Sequence, residues 1–156
     1  MSKSWKDTPP PSVSTDLLET AEAGHLAMCQ DSKPYLVPIS FVYSEGRIFF
    51  HGSTIGKKMD YMLANPNVCF AVDESELAPG PDPCKLHFNF RSTIAHGTAR
   101  VVDDIAEQVE ALRLLAEKYS PGSGYLIDRQ RVENYDNLAI IEMKVEKITT
   151  REEPAE

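Results

Sequence analysis

The sequence predicts an antiparallel β-barrel with helical decorations, folded as a single domain. Three observations predict it. Six or seven strand-like runs recur along the 156 residues, and most of them are joined by short turns rather than by long crossover helices. Only three stretches carry a helical period, which disfavours a doubly wound sheet. Hydrophobic residues make up 42% of the chain, enough for one core at a length typical of one domain.

The elements follow in order. Ser14 to Gly24 is predicted as a short helix: Ser14 or Thr15 can cap it, Leu17, Leu18 and Ala21 form an apolar stripe, and Gly24 stops it. His25 to Gln30 is a short apolar strand, and Asp31-Ser32-Lys33 is a turn. Pro34 to Tyr43 carries Tyr35, Val37, Ile39, Phe41 and Tyr43 on one side and Leu36, Pro38, Ser40 and Val42 on the other. Both faces are largely apolar, as in a strand buried on both sides. Pro38 cannot donate to a ladder, which places an edge or a bulge there. Ser44-Glu45-Gly46 turns the chain into the strand Arg47 to His51.

After Gly52 the period changes. Met59, Met62 and Leu63 line one face of a short helix that ends at Asn65-Pro66. Asn67 to Asp73 is a strand, Glu74 to Cys84 is predicted as a loop, and Lys85 to Val102 is the longest strand-like region, bent near Arg91 or Gly97. Asp104 caps the next helix with Glu107 three residues on, and Ile105, Val109, Leu112 and Ala116 recur at helical spacing. Tyr125 to Asp136 holds a further helical turn or two, and Leu138 to Thr149 alternates as a last strand. The chain divides into a flexible, proline-rich arm over 1–13 that contains Trp5, a domain over 14–150, and a charged tail over 151–156.

Composition excludes several classes. A net charge of -8 is wrong for a protein that coats nucleic acid, which needs a basic face. No apolar run reaches the roughly 18 residues of a membrane helix, and the first dozen residues lack the apolar centre of a secretory signal. The cysteines, Cys29, Cys69 and Cys84, are odd in number and none has CxxC spacing, so disulfide scaffolds and zinc sites are poor fits. The expectation is a cytoplasmic protein.

One local feature breaks a rule. Lys57 and Lys58 fall in the first turn of the helix that follows Ser53-Thr54-Ile55-Gly56. Positive charge there opposes the helix dipole, by roughly 0.3–1 kcal/mol each, and a phosphate would reverse the sign. Free backbone N–H groups, two hydroxyls, a glycine and two lysines make an anion cradle; the alternative is two exposed lysines on a solvated helix. Arg91-Ser92 lies in the long strand, and a guanidinium pairs bidentately with phosphate oxygens; the alternative is a strand-face Arg paired with a carboxylate.

The runs Pro34 to Tyr43, Gly46 to Ser53, Gly56-Lys57-Lys58-Met59-Asp60, Asn65 to Phe70 and Phe90-Arg91-Ser92-Thr93-Ile94-Ala95-His96-Gly97-Thr98-Ala99 together resemble the pyridoxamine-phosphate-oxidase-like split-barrel flavoproteins, especially their nitroimidazole-reductase-like branch. The resemblance spans roughly His25 to Lys118. It implies a six-stranded split barrel, a homodimer, and FMN in a groove between subunits. Carried onto this chain, Lys58 and Arg91 are phosphate ligands, Lys57, Ser53, Thr54 and Ser92 are helpers, and the backbone of Val37, Pro38, Ile39 and Ser40 runs past the isoalloxazine ring. His51 is the candidate catalytic group, donating to the ring or shuttling a proton to substrate; the alternative is a strand-end His bonded to backbone. Tyr119, Tyr125 and Tyr135 are candidates to reach over the partner's flavin, or are simply packed.

The leading expectation is a flavin-dependent oxidoreductase acting on a small nitro compound or quinone, with reduced nicotinamide as donor. A non-catalytic flavin-binding protein is the second. A split barrel holding heme, through His51 or His96, or holding a deazaflavin is the third. Pyridoxamine-phosphate oxidation itself is disfavoured, because Arg129 and Arg131 are the only nearby candidates for a second phosphate and their surroundings are acidic.

Overall fold

A computed structural model describes residues 15–78, 80–85 and 87–153. The arm expected over 1–13, Trp5 and the candidate cap Ser14 lie outside the described residues. In chain order the elements are α1 (Asp16–Thr20), β1 (Gly24–Gln30), β2 (Lys33–Ile39), β3 (Val42–Ser44), β4 (Arg47–Gly52), α2 (Lys57–Ala64), β5 (Asn67–Ala78), β6 (His87–Val101), α3 (Ile105–Tyr119), α4 (Arg129–Glu133) and β7 (Ala139–Glu153), with 3-10 turns at Pro83–Lys85 and Gly124–Leu126.

All seven strands form one antiparallel sheet in the order β2-β1-β5-β6-β7-β4-β3. Its two edges, β2 and β3, are consecutive in the chain with only Ser40 and Phe41 between them. The sheet must therefore curl until its edges meet, which produces the split barrel. The hairpins are set by local chemistry: Asp31 and Ser32 (φ 50° and 59°) and Glu45 and Gly46 (φ 50° and 79°) put positive φ at both central positions, the pattern whose twist matches that of paired strands.

The barrel interior is filled by Leu26, Phe41, Ile48, Phe50, Phe70 and Ile141, all without exposed surface, and by Met143. Leu17 and Leu18 of α1 and Met59 and Met62 of α2 join this cluster. A second cluster forms outside, where Ala111 and Leu115 of α3 cover Val42, Phe49 and Ile140. Alternation along β4 thus sends Ile48 and Phe50 inward and Phe49 toward α3. At Gly97 the β6–β7 register shifts, and a Cβ there would stand 1.9 Å from the Lys144 carbonyl oxygen, so only glycine permits this approach.

Several sequence expectations change. Among the described residues there are seven strands where the resemblance implied six, because Pro34 to Tyr43 breaks at Ser40-Phe41: Phe41 turns into the core, and its backbone N–H and C=O go to the Tyr119 hydroxyl and Lys118 Nζ rather than to a ladder. β2 is an edge strand, half-buried on one side only, with Leu36 59% exposed. β5 continues to Ala78 where a loop was expected, and β7 runs to Glu153, into the expected tail. In α1 Thr15 makes no side-chain cap and the helix spans five residues. The α3 cap at Asp104 receives the Glu107 N–H at 3.0 Å as expected, but the buried face centres on Ala111 and Leu115. Leu63 of α2 is 70% exposed.

Candidate functional site

A concavity of about 400 Å³ opens where the edge strand β2 faces the start of α2. From β2 come Tyr35, Val37, Pro38 and Ile39; from the loop and first turn of α2 come Ser53, Ile55, Gly56, Lys57 and Lys58. The structure thus brings together Val37, Pro38, Ile39, Ser53, Lys57 and Lys58 of the predicted set. β2 pairs only with β1, so its outer edge carries main-chain polar groups without a ladder partner.

The α2 N-terminus is uncapped. Gly56 holds the cap position at φ 124°, no side chain caps the helix, and the first intrahelical bond runs from Asp60 N to Gly56 O. The N–H groups of the first turn are therefore free of intrahelical partners. Lys57 Nζ lies 4.4 Å from the centre of the Tyr35 ring and 5.7 Å from that of Tyr61. Lys58 is half-buried, with Nζ 5.6 Å from the centre of the Phe50 ring. Burial lowers its pKa below the ordinary lysine value. Among the described residues no carboxylate pairs with either ammonium. Gly52 makes room for Lys58, since a Cβ on Gly52 would stand 2.8 Å from Nζ.

Sequence reasoning missed Asn137, Gly52 and the two tyrosines. Asn137, at φ 59° in the turn before β7, accepts from Ser53 Oγ (2.9 Å), Thr54 N (3.0 Å) and Thr54 Oγ1 (2.5 Å). The helper hydroxyls of Ser53 and Thr54 thus spend their hydrogens on Asn137 and do not point free donors at an anion. An Asn between a helical turn and a strand is a turn signal, but nothing in the sequence names its partners.

Arg91 is not in the cradle. It donates to Glu74 through Nε and to Asp16 Oδ2 at 3.0 Å through Nη1, and these bonds, Glu74 first, raise its pKa. It lines a separate concavity with Glu74, Glu76 and Glu152, a setting that repels phosphate. Ser92 lies beside it in the ladder, opposite Asp73 and Arg151. Within one subunit, Arg91 and Ser92 therefore do not join Lys57 and Lys58, and the guanidinium is held by carboxylates. His51 is exposed and, by alternation, points to the face of β4 opposite Gly52 and Lys58. It does not enter the concavity of its own subunit. Ser40, in the β2–β3 link, does not line it either. Tyr119 is tied into the fold through Phe41, while Tyr125 and Tyr135 are exposed and line a concavity of about 600 Å³ by α4.

Among the described residues no group of His, Cys, Asp and Glu side chains could hold a metal ion, and no helix is long and apolar enough to cross a membrane.

The chain is similar to several known proteins. An uncharacterized protein, RA0666, of Rhizobium meliloti is 34% identical over 58 residues, which are 37% of this chain and 38% of that protein. The match therefore spans well under half the length of that relative. The FAD and heme binding protein of Mycobacterium smegmatis has the same fold, with a TM-score of 0.81 at 16% identity, over 99% of this chain and 77% of that one. A candidate 5-nitroimidazole antibiotic resistance protein of Bacteroides thetaiotaomicron superposes with a TM-score of 0.79 at 19% identity, over 94% of this chain and 86% of that one. The sequence profile described as pyridoxamine 5'-phosphate oxidase matches residues 11–152. With that match over nearly the whole chain, the protein belongs to the pyridoxamine 5'-phosphate oxidase family.

Proposed function

We propose that this protein binds a flavin, FMN, in the concavity between β2 and α2, as a homodimer. One observation carries the reading: an uncapped helix start with two lysines faces an unpaired strand edge across a space of ligand size. The phosphate would meet the first-turn N–H groups of α2 with Lys57 and Lys58. The polar edge of the ring system would meet the main chain of Val37 to Ile39, which reads it without special side chains. Flavin supplies two-electron redox chemistry; the protein supplies position and field. Lys58, lacking a carboxylate partner, regains with a phosphate the stabilisation that burial removes.

The reaction we assign is reduction of a small nitro compound or quinone by reduced nicotinamide, in a reducing cytoplasmic setting that suits three free cysteines. His51, exposed on the far face of β4, enters the chemistry only by facing a flavin held by the partner subunit. Heme is the second reading. It is favoured by His96, which is exposed and lines a concavity of about 310 Å³ with Cys29, Cys69, Met28 and Val68.

The visible spectrum of the purified protein, before and after addition of FMN, tests this. A flavin doublet that shifts on titration supports the proposal. A Soret band moves the case to heme, and no binding of either overturns both readings.

A further inference from the structure

Asn137 has no role in the reading above, yet its side chain is the best-connected polar group at the cradle. Its Oδ1 takes three donors from two consecutive residues, Ser53 Oγ, Thr54 N and Thr54 Oγ1, at 2.9, 3.0 and 2.5 Å. Ser53 Oγ in turn accepts from Ile55 N at 3.3 Å. The loop therefore reaches Gly56 with its hydroxyls and one main-chain donor fixed on a single atom. The pairing of Gly52 with Ala139 brings the two segments side by side. Asn137 pays for this geometry with a left-handed backbone, φ 59°, which Asn and Gly tolerate best.

These bonds are solvent-exposed, so they add little to global stability. What they fix is the path of residues 53–56, and that path aims the free N–H groups of α2 and the Lys57-Lys58 pair. We propose that Asn137 is a positioning residue for the phosphate of the cofactor. It ties the turn before β7 to the cradle loop, and it consumes the Ser53 and Thr54 hydrogens so that only main-chain N–H groups and ammonium groups face the anion. The proposal rests on the flavin reading and deepens it.

Two substitutions separate its parts. Asn137→Gly keeps the left-handed backbone and removes the acceptor. Asn137→Asp keeps an acceptor for all three donors but sets a negative charge beside the phosphate. The probes are FMN and riboflavin, which share a ring and differ in the phosphate. Both variants are expected to weaken FMN by about tenfold, the equivalent of one lost hydrogen bond or one nearby like charge. Riboflavin affinity is expected to stay within about twofold of the unaltered protein, because the ring site is untouched. A purely structural role would lower both affinities together, or neither, and either result overturns the proposal. Lys58→Ala distinguishes the two levels. If it leaves FMN affinity unchanged, the cradle reading itself fails. If it weakens FMN while both Asn137 variants bind normally, the cradle stands and Asn137 is not its positioning residue. Should Asn137→Gly fold poorly, Thr54→Val, which removes one of the three donors and leaves the turn before β7 unaltered, decides in its place: FMN is expected to weaken and riboflavin to stay unchanged.

Discussion

Gly52 and Lys58 act as one unit: the glycine has no side chain, and the lysine head group occupies the space. Gly52→Ala is expected to displace the ammonium, since the clash is with the end of a flexible side chain. FMN affinity should fall by about five- to tenfold, with the melting temperature shifted by only about 2 °C. The lowered pKa of Lys58 gives a pH test. The phosphate needs the charged form, so FMN affinity should decline as pH rises through that pKa, earlier than an exposed lysine would dictate, while riboflavin affinity stays flat in the same titration. Lys118 behaves differently. Burial brings its pKa to about 8, with Glu22 opposing the shift, and its Nζ sits 3.7 Å from the centre of the Phe41 ring. Between about 8 and the ordinary 10.5 the unfolded chain binds more protons than the native one, so stability should rise with pH across that window. Melts of the unaltered protein and of Lys118→Met, compared at the two ends of the window, check it: the substitution should flatten the slope. At this scale the sequence was partly legible. Lys57 and Lys58 stood out because they oppose a helix dipole. For Arg91 the residues alone pointed to a carboxylate partner and the resemblance to phosphate, and which carboxylates it meets, Asp16 and Glu74, is decided only by the fold. Asn137 was illegible because its partners are 83 and 84 residues away.

The C-terminal end of α3 is a clamp on the link between β2 and β3. The Tyr119 hydroxyl accepts from Phe41 N at 2.8 Å and lies 2.6 Å from the Glu22 carbonyl oxygen, and Lys118 Nζ donates to Phe41 O at 2.8 Å. Tyr119→Phe leaves the Phe41 N–H without its acceptor. The expected cost is about 1–3 kcal/mol, and hydrogen exchange should speed up at Phe41 before it does elsewhere in the barrel. A second tie spans three strands: Glu142 of β7 accepts from Arg100 of β6 at 3.0 Å and lies 3.6 Å from Arg47 of β4. Elements whose cause is local were legible. Both two-residue hairpins and the α3 cap follow from the residues that make them. β5 was cut short because Asp73 to Leu77 is exposed on both faces, and a strand that buries neither face has no apolar alternation to detect. The face of α3 was misplaced because the surface it covers, Val42, Phe49 and Ile140, is assembled from β3, β4 and β7.

At the scale of the molecule, the barrel was legible from short strands and short turns, and the family from the order of its motifs. The composition of a sheet face was not, since the residues that form it are scattered along the chain. The strand register now gathers them. Leu36, Ala27, Cys69 and His96 form one outward row across β2, β1, β5 and β6, and Pro38, His25, Ala71 and Ile94 form the next. These rows hold no carboxylate and no lysine or arginine, which suits a surface that meets a second copy. Sedimentation should therefore give twice the chain mass of 17.4 kDa, and Leu36→Lys should give a monomer with weakened flavin binding. A monomeric unaltered protein that still binds FMN fully would remove the partner from the site.

The place of β7 in the sheet has a consequence for how the chain is made. β7 is made after the other six strands of this sheet, yet it lies between β6 and β4. The β3–β4 hairpin has no other strand to pair with, so it leaves the ribosome carrying Ile48, Phe49 and Phe50 and must wait for residues 139–144 before they are covered. Until then the barrel stands open along that seam. The nascent protein thus shows β4 uncovered from the making of residue 52 to that of residue 139, and chaperone capture should be densest on that hairpin and end when β7 arrives.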